Sequence, residues 1–268
     1  MSSYATDGRA LERARPVSSR ARTVLRNGAL AILGTLPRAR RSGVRIVHYH
    51  YVFDDELERF AQQLDFLSRE FIPTSLSDAV DRLQSGRANG DEVVVTFDDG
   101  FRNQLDNAAP LLRERGFSAC FFLVTDFVGA DADATRRFTR ERLHLPLPVE
   151  PMGWDGATRL LELGHEIGSH TRSHPELPEL EDEDIAAELA SSREEIARRF
   201  GDVRHFSAPY GDAMRFSERI AAAARAAGYD SCATAMRGVN TSALDVYALR
   251  RHHLSARWPV RQLAYFLS

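Results

Sequence analysis

The 268-residue chain contains no lysine; all 35 of its basic side chains are arginine. That absence excludes any mechanism built on a Schiff-base lysine or a phosphate-loop lysine. Cysteine is scarce as well. Cys120 and Cys232 stand in the apolar or small-residue runs 119–124 and 231–233. A free thiol packs there as a small hydrophobe, so both are expected to be buried and reduced, with no secreted-type disulfide framework. Long hydrophobic runs are missing too. The uncharged run 28–36 has nine residues, and as a helix it would span roughly 14 Å, about half of a ~30 Å hydrocarbon core. It is too short to cross a membrane, and arginines resume at Arg38, Arg40 and Arg41 where a signal peptide would need a small-residue cleavage site. The expected location is the cytoplasm or the inner face of a membrane.

What is present is ordinary in amount and uneven in distribution. The hydrophobic share is 43% and the charged share 27%, and the net charge is −3, which suits a globular protein and argues against a nucleic-acid partner. Residues 1–45 hold ten arginines against Asp7 and Glu12, a net of +8, so the remainder carries −11. Residues 1–43 therefore read as a basic N-terminal extension, partly disordered or forming a surface helix that can touch anionic lipid. Residues 44–268 are long enough for one domain with a real core.

From Val44 onward short β-type runs alternate with helical ones. The clearest strands are 44–51, 93–97, 119–124 and 165–168, with weaker ones at 205–207, 229–234 and 246–253. Between them lie segments of helical period, Leu57, Phe60, Leu64 and Leu67 in one, Ile185, Leu189 and Ile196 in another. The second opens on acidic residues, closes on Arg198 and Arg199, and meets Gly201 where a C-terminal cap belongs. Such alternation implies parallel strands with helices outside, in a barrel or a doubly wound sheet, with chemistry at the C-terminal strand ends. Residues 131–152, with four arginines and three prolines, read as a long loop forming a lid or rim.

Three sites carry chemistry. The apolar run 93–97 ends in Asp98-Asp99-Gly100. Adjacent carboxylates at a strand end point in different directions, so one can ligate a metal while the other takes a proton from water. His170 and His174 are four apart and would share one face of a helical turn, a spacing that suits two imidazoles on one cation. Glu166 does not complete an HExxH pattern, because Ser169 stands where the second histidine would be. Two histidines and one carboxylate make a three-ligand hydrolytic site with positions left for water and substrate. Pro209-Tyr210-Gly211 then fixes a tight loop that can aim a backbone N–H at developing negative charge.

Thr-Phe-Asp-Asp-Gly at 96–100, Ser-His-Thr-Arg-Ser-His at 169–174 and Pro-Tyr-Gly at 209–211, in that order, resemble the polysaccharide deacetylase family (the NodB-homology domain, carbohydrate esterase family four). The resemblance runs from Val44 to the C-terminus. It implies a distorted (β/α) barrel and a metal-dependent hydrolase that removes acetyl groups from N-acetylated, less often O-acetylated, sugar units of a polysaccharide or lipid-linked glycan. It implies one divalent ion, zinc by family expectation, held by Asp99, His170 and His174. Asp98 matches the general base and Tyr210 the oxyanion donor. Deformylation, cyclic-amide hydrolysis and a non-catalytic glycan-binding role are the alternatives.

Two positions depart from the family pattern. An arginine that orients the catalytic aspartate usually stands two residues before the proline, where this chain has Ser207; Arg250 or Arg251 is the expected substitute. The late Leu-x-His motif is blurred into His252-His253, which point to opposite faces of a strand; His253 is favoured as the general acid. Substrate-binding candidates are His50, which shares a strand face with His48, Pro209 in the tight loop, and Trp154, which stands between core packing and stacking on a sugar.

Overall fold

The computed structural model describes residues 4–14, 42–88 and 90–267. Eight strands form one parallel sheet: β1 (Gly43–Tyr49), β2 (Ile72–Pro73), β3 (Asp91–Phe97), β4 (Ala119–Leu123), β5 (Glu166–Ser169), β6 (His205–Ser207), β7 (Ser231–Ala233) and β8 (Arg251–His253). Their order is β7-β6-β5-β4-β3-β1-β8, with β2 paired to the side of β3. A parallel bridge between Ala233 and Leu249, just ahead of β8, brings the two ends of the sheet together. The result is the nearly closed, irregular barrel that the motifs imply.

The weaker strands are shorter than their sequence runs. The run 229–234 pairs only over β7, and 246–253 divides into a 3-10 turn (Val246–Ala248) and β8. In the helical segments Phe60, Leu64, Leu67, Ile185, Leu189 and Ile196 are all buried, and Gly201 ends its helix at φ +87°. Residues 131–152 are not simply a loop. Ala132–Glu141 is a helix whose N-terminus is capped by Asp131, which accepts from the Ala134 N–H at 2.8 Å. Its arginines face outward while Thr135 and Thr139 are buried, a polar pattern that conceals the helical period.

Period-two alternation sorts each strand into two faces. Val47, Tyr49, Val95, Phe97 and Phe121 join the large cluster formed with the surrounding helices. Val44, Ile46, Val94, Cys120 and Phe122 face the barrel interior, which the helix Leu76–Gln84 fills from below. Continuing along that interior face toward the C-terminal ends of β1 and β3, the same alternation reaches His48, His50, Thr96 and Asp98. An apolar floor therefore supports a polar upper layer. Cys120 and Cys232 are buried and unbridged.

The N-terminal segment is less separable than its charge suggests. The helix Gly8–Ala14 packs on the barrel rim, with Leu11 buried beside Phe53, Phe101 and Phe127. The Ala5 N–H donates to the Pro148 carbonyl at 2.8 Å, and Arg257 donates to the Gly8 carbonyl at 2.6 Å. The uncharged run 28–36 lies outside the described residues. No helix among the described residues is long and apolar enough to cross a membrane.

Candidate active site

A cavity of about 430 Å³ opens at the C-terminal end of the barrel. Asp98, Asp99, His170, His174, Tyr210 and His253 all line it. His48, His50 and Arg251 complete its polar side, and Leu143 and Leu145, from the segment after the rim helix, form part of its apolar side.

The two carboxylates separate because the chain turns sharply after β3. Asp99 adopts φ +76° and Gly100 φ +86°. A Cβ at Gly100 would sit 2.8 Å from Val128 Cγ2, so this turn requires glycine both for its conformation and for space. Asp99 then points at the histidines, with Oδ1 3.6 Å from His170 Nε2 and 3.6 Å from His174 Nε2. His170 and His174 do not share a helical face as their spacing suggests. They lie in an irregular loop after β5 in which Thr171 and His174 take φ +68° and +57°, and the loop folds back to bring both rings together. Glu188 anchors it, accepting from the Arg172 and Ser173 N–H groups at 3.0 and 2.9 Å.

All five non-glycine residues with positive φ among the described residues belong to this site or its rim: Asp99, Thr171, His174, Tyr210, and His144 between the two lining leucines. Backbone strain concentrated in this way marks a region over-determined by its surroundings, as functional sites are.

The donor set suits a divalent cation. His170 Nδ1 lies 2.7 Å from the Ser207 carbonyl. A carbonyl only accepts, so Nδ1 carries the proton and Nε2 is left with a lone pair toward Asp99. Burial pushes the His170 imidazole down to about 4 and the His174 imidazole well below its ordinary value. Both are therefore neutral near pH 7, as ligands must be. Asp99 Oδ1 is buried without a hydrogen-bond partner, an arrangement that is costly in the absence of a counter-charge. Burial first, then the neighbouring Asp98 charge, raises the Asp99 carboxyl well above the usual range. One cation between these three atoms would satisfy the oxygen and both nitrogens.

Asp98 has the opposite environment. It is held by Arg251 in a two-pronged pair, Nη1 to Oδ1 and Nη2 to Oδ2, each at 2.8 Å. The same guanidinium donates to Ser207 Oγ at 2.8 Å, to the Thr234 carbonyl at 2.8 Å and to Thr96 Oγ1 at 3.3 Å. Burial alone would raise the Asp98 carboxyl, but the Arg251 charge and its hydrogen bonds, with His170 and His48 beside it, hold it well below the usual carboxylate range. Of the two candidate arginines, Arg251 is the one that holds Asp98, and Ser207 is one of its acceptors. Arg250 is exposed and takes no part. Gln104, which sequence reasoning passed over, is fully buried and donates to the His50 and Asp98 carbonyls at 2.6 and 2.5 Å.

His253 reaches the cavity from the end of β8, its ring 5.0 Å from that of His48 and 5.3 Å from that of His50. His252 is buried on the other strand face. Tyr210 takes φ +57° and packs edge-on against His174 at 4.7 Å, and its hydroxyl donates to the Arg142 carbonyl, tying the rim to the site. Two of the substrate-binding candidates do not line the cavity. Trp154 lies outside the cavity, in the outer helical layer, with its ring under the Arg199 guanidinium at 4.1 Å and beside Phe200; it is a packing residue because its helix faces away from the barrel mouth. Pro209 is buried and does not line the cavity. Its carbonyl accepts from the Gly211 N–H at 2.7 Å, so it shapes the turn that presents Tyr210.

Comparison with known proteins places the chain in a family and agrees with the fold. The chain is 27% identical over 164 residues to a putative polysaccharide deacetylase of Bacillus subtilis, covering 61% of this chain and 51% of that one. It is 32% identical over 128 residues to a chitooligosaccharide deacetylase of Azorhizobium caulinodans, covering 46% and 50%. The matched segment thus spans about half the length of each relative. The solved structure of IcaB from Ammonifex degensii superposes with a TM-score of 0.70 at 22% identity over 85% of this chain and 99% of that one, a likeness of fold. The family model described as polysaccharide deacetylase matches residues 85–232, more than half of the sequence, and the chain belongs to that family.

Proposed function

We propose that the protein is a metal-dependent hydrolase that removes acetyl groups from N-acetylated sugar units of a polysaccharide or lipid-linked glycan. The observation that carries this reading is the pairing of two unlike carboxylates in one cavity: Asp99 without a hydrogen-bond partner for Oδ1 and aimed at two neutral imidazoles, Asp98 ionised and clamped by Arg251. Opposed environments for neighbouring acids divide their roles.

Asp99, His170 and His174 would hold one divalent ion, zinc by family expectation. Bound there, the ion would supply Lewis acidity to the acyl carbonyl and to water. Asp98 takes the proton from the attacking water as general base, its orientation fixed by Arg251. The Tyr210 N–H, presented by the turn between Pro209 and Gly211, donates to the oxygen on which negative charge grows. His253 gives a proton to the departing amine, and His50 lines the sugar side of the pocket. The rim leucines exclude water from the reacting acyl group.

The test is acetate release from a panel of acetylated glycans and glycolipids with metal added, run beside formylated counterparts. Acetate release supports the proposal, and formate release in its place moves the activity to deformylation. Asp98→Asn should retain metal and lose turnover. A fully active Asp98→Asn protein refutes the base assignment.

A further inference from the structure

The cavity contains a second convergence of ligand atoms, on strands that contribute nothing to the Asp99 cluster. His48 and His253 are register partners across β1 and β8, and His50 follows two residues beyond His48 on the same face. One nitrogen from each of the three imidazoles lies within 4.8 Å of the others. We propose that His48, His50 and His253 form a second metal site, selective for a nitrogen-preferring divalent ion of the zinc, copper or nickel class, and that filling it silences the enzyme.

The geometry is that of a three-imidazole site with an open position. His48 is the fixed corner: it is 3% exposed and its Nδ1 is buried with no hydrogen-bond partner. His50 is half-buried and His253 is exposed, so closure around an ion would come from side-chain rotation at these two outer rings. Tetrahedral zinc with Zn–N bonds near 2.1 Å requires nitrogens about 3.4 Å apart, a closure of the order of 1 Å that rotamer adjustment at the rim supplies. The donors carry no charge, and the nearest ion pair, Asp98 with Arg251, is internally neutral. Magnesium and calcium, which demand oxygen ligands, find none here. Because the Asp99 cluster includes a carboxylate and this one does not, the three-histidine site should fill second. The silencing rests on the proposed role of His253, since an imidazole whose lone pair is on a metal cannot deliver a proton to a leaving amine.

Metal content of the full-length protein tests the site without recourse to activity. After chelation, reloading with excess zinc and desalting, wild type should hold about two ions per chain, and His253→Ala and Asp99→Asn about one each. His50→Gln is the parallel variant should His253→Ala fail to fold, with near-ultraviolet circular dichroism as the folding check. Reloading with cobalt should give two distinguishable visible spectra, one lost with each variant. One ion in wild type that Asp99→Asn removes, two ions that His253→Ala and His50→Gln both leave in place, or filling of the second site by magnesium overturns the proposal. An ion lost in His253→Ala while Asp99→Asn loses none supports the second site and refutes instead the assignment of Asp99 as a ligand. In turnover, zinc beyond the first equivalent should inhibit at least tenfold, reversibly with a chelator; undiminished turnover with both sites filled overturns the silencing.

Discussion

Replacing Arg251 by alanine probes the central electrostatic argument. The guanidinium is 1% exposed and makes five hydrogen bonds, two of them to an Asp98 carboxylate that is itself 3% exposed. Truncating one partner of a buried pair leaves the other as an uncompensated buried charge, which costs about 3–5 kcal/mol. For a protein of this size that corresponds to a fall of roughly 10 °C in Tm. The loss should depend on pH with a definite sign. In wild type the Asp98 carboxyl is depressed, so its stabilisation is present above the ordinary carboxylate pKa and disappears as pH falls through the folded value. Without Arg251, burial dominates and the carboxyl rises, so the penalty is largest at high pH and relieved as Asp98 takes a proton. Arg251→Ala should therefore be most destabilising near pH 8 and least near pH 4.

The double variant completes the test. Asp98→Asn removes the stranded charge, so Arg251→Ala/Asp98→Asn should be more stable than the sum of the single losses by about 2 kcal/mol, well beyond the ~0.5 kcal/mol within which independent sites add. Thermal and urea unfolding across pH measure this directly. In turnover, Arg251→Ala should lower kcat about 100-fold with little change in KM, since the proposed base Asp98 is misplaced and the pocket is otherwise intact. Arg251→Lys, which keeps the charge and loses the fork, should fall between. Additive stability losses, or an Arg251→Ala protein with unchanged Tm and kcat, would refute the reasoning.

Other perturbations have equally definite outcomes. If the Asp99 cluster holds the proposed ion, His170→Ala should leave the metal content about one equivalent lower. Glu56 is buried beneath the N-terminal helix, and burial raises its carboxyl to about 7 from an ordinary 4.5. Folding thus favours its proton, and that contribution, present below the ordinary value, is lost as pH rises through 7. Glu56→Gln should therefore gain about 3 kcal/mol on wild type between pH 5 and pH 9 in paired urea titrations; a pH-independent difference contradicts the burial argument. Gly100→Ala meets both a forbidden φ and Val128, and should cost about 2–4 kcal/mol and weaken metal binding. Residues 15–41 hold seven arginines and no acidic residue; if they bring the enzyme to an anionic membrane surface, exchanging all seven for glutamine should abolish sedimentation with anionic vesicles, and unchanged sedimentation ends that idea.

Features were legible in the sequence where a local pattern determines them. Strand–helix alternation narrows the fold to a barrel or a doubly wound sheet and the motif resemblance selects the barrel, while the interior face of β1 and β3 follows from period two, which carries His48, His50 and Asp98 to one side. The loop geometry of His170 and His174 was not legible, because their spacing is equally compatible with a helical turn. What decides between the two is Glu188, distant in sequence, which takes the loop N–H groups that a helix would use. Trp154 was ambiguous for a similar reason: an aromatic at the start of a helix does not reveal which layer that helix joins.

The Ser207–Arg251 exchange shows where sequence reading reaches its limit. Ser207 on β6 and Arg251 on β8 are 44 residues apart, and neither strand pairs with the other. Only closure of the barrel brings both side chains into the interior layer above Cys120 and Phe122. Arg251 crosses that layer from β8 to reach both Asp98 and Ser207. The serine at 207 accepts one of the guanidinium's hydrogen bonds. If Ser207 and Arg251 act as one unit, the charge can enter from either strand provided that it ends on Asp98. The double substitution Ser207→Arg/Arg251→Ser should accordingly recover part of the activity that Arg251→Ser alone removes.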